Sequence, residues 1–92
     1  MNDPRYETIK PMFDQGKISS FLDIFKYISK TRVAKDMGKN ENRFIKDLDH
    51  LENWCLPDLF RVGDLCGLSR LEILELLMME FAKQATRLEK GS

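Results

Sequence analysis

Thr31-Arg-Val-Ala-Lys-Asp-Met-Gly-Lys-Asn-Glu-Asn-Arg-Phe-Ile-Lys-Asp-Leu48 is the stretch whose reading decides the fold. Val33 and Met37 stand one helical turn apart, which predicts a short helix from about Thr31 to Met37 with Thr31 as its cap. Ala34 offers a small side chain where a second helix can cross closely. Gly38 follows four residues later, at a turn whose positive φ only glycine adopts without strain. The next helix is predicted to start near Asn40 to Asn42 and run to about Asp49. Its Phe44, Leu48 and Leu51 return to the core, with Ile45 at the margin. This order of small residue, glycine and apolar residue suits two short helices joined at a large angle. The stretch over about 31–49 therefore reads as a helix-turn-helix.

Helical spacing extends in both directions, and no run alternates long enough for a strand. A first helix is expected over 4–15, capped by Asp3, with Pro4 at its first position and Tyr6, Ile9, Met12 and Phe13 on one stripe. Pro11 inside it predicts a kink or break, and Gly16 a stop. A second helix is expected from Ser19 or Ser20 to Ser29, with Ile18, Phe21, Leu22, Phe25 and Ile28 buried and Ser20/Asp23 resembling a capping box. Beyond a loop over 52–56, Pro57 opens a helix through Leu65 that buries Leu59, Phe60, Val62 and Leu65 and stops at Gly67. Ser69 and Glu72 form an S-x-x-E capping box for a long last helix, about 70–88, with a fraying tail. The expectation is one all-α domain over 1–92, a five- to six-helix bundle around the helix-turn-helix.

Charge is balanced overall, with fifteen basic and fifteen acidic residues, which is unusual for a nucleic-acid binder. The signs segregate, however. Residues 30–46 hold Lys30, Arg32, Lys35, Lys39, Arg43 and Lys46 against Asp36 and Glu41, an excess of +4 by count. Residues 72–80 hold Glu72, Glu75 and Glu80 and no base.

The stretch from Thr31 to Leu48 resembles the helix-turn-helix of phage-repressor and Cro-like transcriptional regulators. The likeness extends over residues 18 to about 77, because Asp58-Leu-Phe-Arg-Val-Gly-Asp-Leu-Cys-Gly-Leu-Ser69 is similar to that domain's fourth helix and its exit. Two positions depart from the pattern. Lys39 follows the turn glycine where an apolar residue is common, and Asp47 takes a common apolar position, with Leu48 one later. Either the second helix is rotated slightly or its last turn is irregular.

The resemblance implies a repressor-like regulator of transcription that reads the major groove of double-stranded DNA with the helix starting near Asn40. Asn40 and Asn42 would contact adenine, and Arg43 or Lys46 guanine or phosphate. Thr31 and Arg32 would hold phosphate through hydroxyl, main-chain N–H and guanidinium, with Lys39 adding a further contact. Each has a plainer reading: asparagines serve turns and caps, basic residues line solvated faces, and Glu41 suits a helix N-terminus.

In the last helix, Leu71, Leu74, Met78, Phe81, Ala85 and Leu88 repeat at spacings of three and four, a heptad-like seam. Leu71, Leu74, Met78 and Phe81 are the expected dimerisation residues of a homodimer, the alternative being a helix fully buried in its own domain. A two-fold dimer would set two reading helices about 34 Å apart on a near-palindromic site. The alternative is a protein–protein adaptor or antitoxin-like module on the same scaffold, which the neutral balance, Lys39 and Asp47 favour.

Other chemistry is not expected. Cys55 and Cys66 form no C-x-x-C, and one His cannot complete a zinc set, so both read as reduced small hydrophobes in a cytoplasmic protein. His50 reads as a helix-end residue facing open carbonyls, Trp54 as a lid on the core, and the methionines as core filler. No paired carboxylates, activated nucleophile or phosphate loop suggests an enzyme, and no cofactor, catalytic residue or metal site is expected. The longest apolar stretch, Ile73 to Met79, is broken by Glu75, so no membrane partner is expected.

Overall fold

A computed structural model of the protein describes residues 3–91, with side chains described through Ala85. The described residues are helical and include no strand. None of their helices is long and apolar enough to cross a membrane. The expected all-α architecture is what is found.

Asp3 caps the first segment as expected, its carboxylate accepting from the Arg5 N–H at 2.9 Å. The segment opens as a 3₁₀ helix, Pro4–Thr8, and widens into α1, Ile9–Asp14. Pro11 falls within the first turn of α1, where N–H groups need no partner inside the helix, so the change of helix type absorbs it.

The second predicted helix is a shorter 3₁₀ helix, Phe21–Lys26. Side chains take up the N–H groups at its start. Asp23 accepts from Ser19 N–H at 3.0 Å and Ser20 N–H at 3.2 Å, and Glu80 accepts from Leu22 N–H at 3.0 Å. Lys83 donates to the Ser20 hydroxyl at 2.8 Å. Its anchor is thus shared between its own Asp23 and two residues from the far end of the chain, Glu80 and Lys83.

α2 spans Lys30–Asp36 and α3 spans Glu41–Asp47. Gly38 sits between them at φ 69°, the left-handed conformation its position demands. Val33, Ala34, Met37 and Phe44 are all buried. α3 does not reach Asp49. It ends at Asp47 and continues as a 3₁₀ helix, Leu48–Asn53, in which His50 leaves helical geometry at φ −133°, ψ 55°. The last turn is therefore the irregular one, which lets Leu48 rather than Asp47 enter the core. His50 lies beside Glu52 at 3.5 Å rather than against helix-end carbonyls.

α4 spans Leu56–Cys66 and stops at Gly67, φ 73°. Phe60 and Leu65 are only half-buried, while Cys66 is fully buried. α5 spans Arg70–Gly91, longer than the expected stop near Arg87. Its capping box forms as read: Ser69 Oγ accepts from Glu72 N–H at 3.1 Å, and Glu72 accepts from Ser69 N–H at 2.8 Å. The same carboxylate is paired with Lys10 of α1. α5 packs on α4 where Gly63 leaves room for Ile73; a Cβ at Gly63 would lie 2.5 Å from Ile73 Cγ1.

The core centres on Phe21, Ile24, Phe44, Leu48, Val62, Ile73 and Leu76. Four aromatic rings form a closed circuit beneath α3. Phe21–Phe25, Phe25–Phe44 and Phe21–Trp54 have centroids 6.1 Å apart, and Phe44–Trp54 are 5.6 Å apart, all edge-on. Such pairs each contribute roughly 0.5–1.5 kcal/mol beyond burial. Trp54 is the lid expected. The methionines are not uniformly filler, since Met37 is buried but Met78 and Met79 are exposed. Cys55 is exposed too, against expectation, and both thiols are free.

Candidate nucleic-acid interface

The α2–α3 unit is held by a cap at each helix start. Ser29, not Thr31, caps α2, its Oγ accepting from Arg32 N–H at 3.1 Å. The sequence offers two hydroxyls two residues apart, and the one in extended geometry, Ser29 at φ −69°, ψ 148°, takes the capping role. Asn40 caps α3, its Oδ1 accepting from Arg43 N–H at 3.1 Å. Substituting such a cap typically costs about 1 kcal/mol.

Four of the seven residues expected at DNA have partners within the chain. The Thr31 hydroxyl donates to Glu41 at 2.6 Å, tying the first turn of α2 to the first turn of α3. Arg32 Nε donates to Asp36 at 3.1 Å and lies 3.9 Å from Asp3. Asp36 also accepts from the Tyr6 hydroxyl at 2.7 Å, so the guanidinium is held against the first helix. Lys39 reaches Asp58 in the first turn of α4, at 3.3 Å. Asn40 is engaged by its oxygen, so a bidentate adenine contact would have to share that oxygen with the cap.

Asn42, Arg43 and Lys46 remain. All three are exposed on α3, and among the described residues no ion pair holds Arg43 or Lys46. Phe44 between them is fully buried, which fixes the rotation of α3 and turns these three outward. Lys30 and Lys35 of α2 are exposed as well.

Electrostatics follow the pairing. The hydrogen bond from the Arg5 side chain draws the Asp3 carboxyl down to about 2. Partial burial works to raise Asp58, but hydrogen bonds from the Cys55 thiol and Lys39 outweigh it and hold that carboxyl below its usual range. Both acids are therefore anions at neutral pH. Asp58 comes from outside residues 30–46 to meet Lys39, while Asp3 is shared between Arg32 and the nearer Arg5.

Lys39, Arg43, Asp47, Trp54, Cys55 and Asp58 line a polar cavity of about 370 Å³ at the C-terminal end of α3. Asp58 was missed as part of this region. An acid early in α4 is a visible helix-start signal, but nothing local links it to Lys39, nineteen positions earlier. No group of His, Cys, Asp and Glu suited to a metal ion occurs among the described residues. Compared with protein-family models, with curated proteins and with solved structures, the chain has no match.

Proposed function

We propose that this protein is a sequence-specific DNA-binding regulator of transcription that reads the major groove with α3. The observation carrying this reading is the outward row Asn42, Arg43 and Lys46 on a short helix locked in rotation by buried Phe44. An α-helix fits the major groove, where asparagine pairs with adenine and arginine with guanine. The exposed Lys30 and Lys35 and the N-terminus of α2 are suited to phosphate. Occupancy of an operator is the mechanism, with no cofactor needed.

A protein–protein adaptor is the second reading. Its support is the engagement of Arg32 by Asp36, of Lys39 by Asp58 and of Thr31 by Glu41. Each lowers the charge or hydrogen-bonding capacity left for phosphate.

Retention of genomic DNA fragments at two salt concentrations, followed by sequencing, separates the two. A regulator retains a recurring sequence, weakens steeply with salt, and loses retention in the Arg43→Ala/Lys46→Ala double variant. Failure of the folded protein to retain any fragment at low salt would reject DNA binding in favour of the adaptor.

A further inference from the structure

The cavity at the C-terminal end of α3 holds charges that the chain itself does not use. Lys39 and Asp58, both on its wall, meet at 3.3 Å. Arg43 and Asp47 also line it, one helical turn apart on α3. Their order puts the cation first, the weaker arrangement for an ion pair on a helix. Among the described residues neither side chain enters an ion pair. Their bonds are made by the main chain, from the Arg43 N–H to Asn40 and to the Asp47 carbonyl from Trp54 Nε1. Asp47 is half-buried, so its carboxylate gives up some water without gaining a partner. Half-buried Trp54 supplies an aromatic wall, held in place by that 2.8 Å bond. His50, at the rim, lies 3.5 Å from Glu52.

We infer that this cavity binds a small zwitterion, a free α-amino acid with an apolar side chain. The Arg43 guanidinium suits the carboxylate, which it can grip with two parallel N–H groups. The Asp47 carboxylate suits the ammonium group, whose three donors have no acceptor of their own. The two charges of an α-amino acid flank a single carbon, so one molecule can reach both side chains of one helical turn. Its apolar side chain would then lie against Trp54. Net charge decides among ligand classes. Lys39 and Arg43 balance Asp47 and Asp58, so the lining has no surplus of either sign for a phosphate or a simple cation. A wholly apolar molecule would strip water from Arg43 and Asp47 and return nothing to them. The volume of about 370 Å³ lies at the small end of ligand pockets, which begin near ~300 Å³.

Occupancy would also reach DNA. Arg43 belongs to the outward row of α3, and a guanidinium closed on a ligand carboxylate is not offered to guanine. The amino acid and the operator therefore compete for one side chain, and the ligand releases DNA. This release rests on the regulator reading; the amino-acid site does not.

Trp54 is the single tryptophan of the chain, so its fluorescence reports on the cavity directly. Titration with L-phenylalanine, L-leucine and L-methionine, up to about 10 mM each, should give a saturable change in emission with at least one of them. For L-phenylalanine, 3-phenylpropionate lacks the ammonium group and phenethylamine lacks the carboxylate, and each should bind at least about tenfold more weakly. Asp47→Asn, with its circular dichroism spectrum intact, should lose about tenfold in amino-acid affinity and bind 3-phenylpropionate no worse than wild type. Arg43→Gln should lose as much and no longer distinguish phenethylamine. No saturable change with any of the three amino acids overturns the inference. So does equal binding of 3-phenylpropionate, or an affinity unaltered in Asp47→Asn. For the linked part, the bound amino acid should lower retention of selected DNA at least about fivefold in wild type and not in Asp47→Asn. Retention unchanged in amino-acid-saturated protein refutes the release alone. Saturable binding by a protein that retains no DNA upholds the site and removes only the regulator reading.

Discussion

On the α2–α3 face, Arg32, Lys39 and Thr31 each meet a carboxylate of the same chain. On the outer face of α5, Leu71 and Met78 meet none of the domain's own apolar residues closely enough to be covered, remaining 68% and 71% exposed. The two faces thus treat their unsatisfied groups differently. A charge at the surface is served by water or by a flexible acid at little cost. Exposed apolar area has no such substitute in water, and it is relieved only by another apolar surface. The charged face is therefore partly self-answered, while the apolar face is left to water.

The largest expected effect tests whether α5 is rigidly seated, so that its outer face is held outward. Gly63→Ala places a methyl 2.5 Å from the Cγ1 of fully buried Ile73 and 3.3 Å from the Leu68 carbonyl oxygen. Neither neighbour is the end of a mobile side chain, so α5 must shift from α4. A loss of roughly 2–3 kcal/mol in urea unfolding is expected. Unchanged stability would mean that the α4–α5 contact yields easily and that the outer face has no fixed orientation.

A smaller effect concerns the attachment of α5 to the 3₁₀ helix Phe21–Lys26. Partial burial acts to raise the Asp23 carboxyl, but hydrogen bonds from Ser19 and Lys26 outweigh it and hold the group at about 2. Its folded value lies below the unfolded one, so its stabilisation is complete above about pH 4 and is lost as pH falls toward 2. The contribution is on the order of 1–2 kcal/mol. Asp23→Asn should remove that part of the acid slope between pH 4 and 2 in thermal unfolding. The slope carried by Asp3 and Glu72, whose carboxyls are also lowered, should remain.

The smallest effect sharpens the charged side. Asp58→Asn frees Lys39 and should tighten DNA retention by up to about fivefold, in keeping with the modest worth of an exposed ion pair. The salt dependence should steepen by about one phosphate contact. Unchanged affinity would turn Lys39 away from DNA and leave Arg43 and Lys46 to carry the interface.

What could be read from the sequence was local. Asp3, the Ser69/Glu72 box and the stops at Gly38 and Gly67 depend on residues within one turn of each other, and all are found as read. The apolar seam of α5 was legible from its spacing, but that Leu71, Leu74, Met78 and Phe81 stay exposed on it is settled only by the packing of its other face. Distant pairing was not. Glu80 reads as one more surface acid beside Glu75, yet it is 2% exposed and satisfied by Leu22 N–H. Thr31 reads as a cap until Ser29 takes the extended geometry. Lys39 reads as free for phosphate until Asp58 reaches it from α4. In the candidate site, the outward row on α3 was readable from the burial of Phe44, and the acids that temper it were not.

The bond from Leu22 N–H to Glu80 joins positions 58 residues apart. During synthesis the N-terminal part of the chain emerges first, and α1, α2 and α3 can begin to form from their own caps. The segment between α1 and α2 has its own Ser20/Asp23 cap, but the acceptor of the Leu22 N–H has not yet been made. Contacts of such separation are reached late, after a large loop has closed. Until Glu80 has left the ribosome, Phe21 and Ile24 remain without their final packing and leave apolar surface to water.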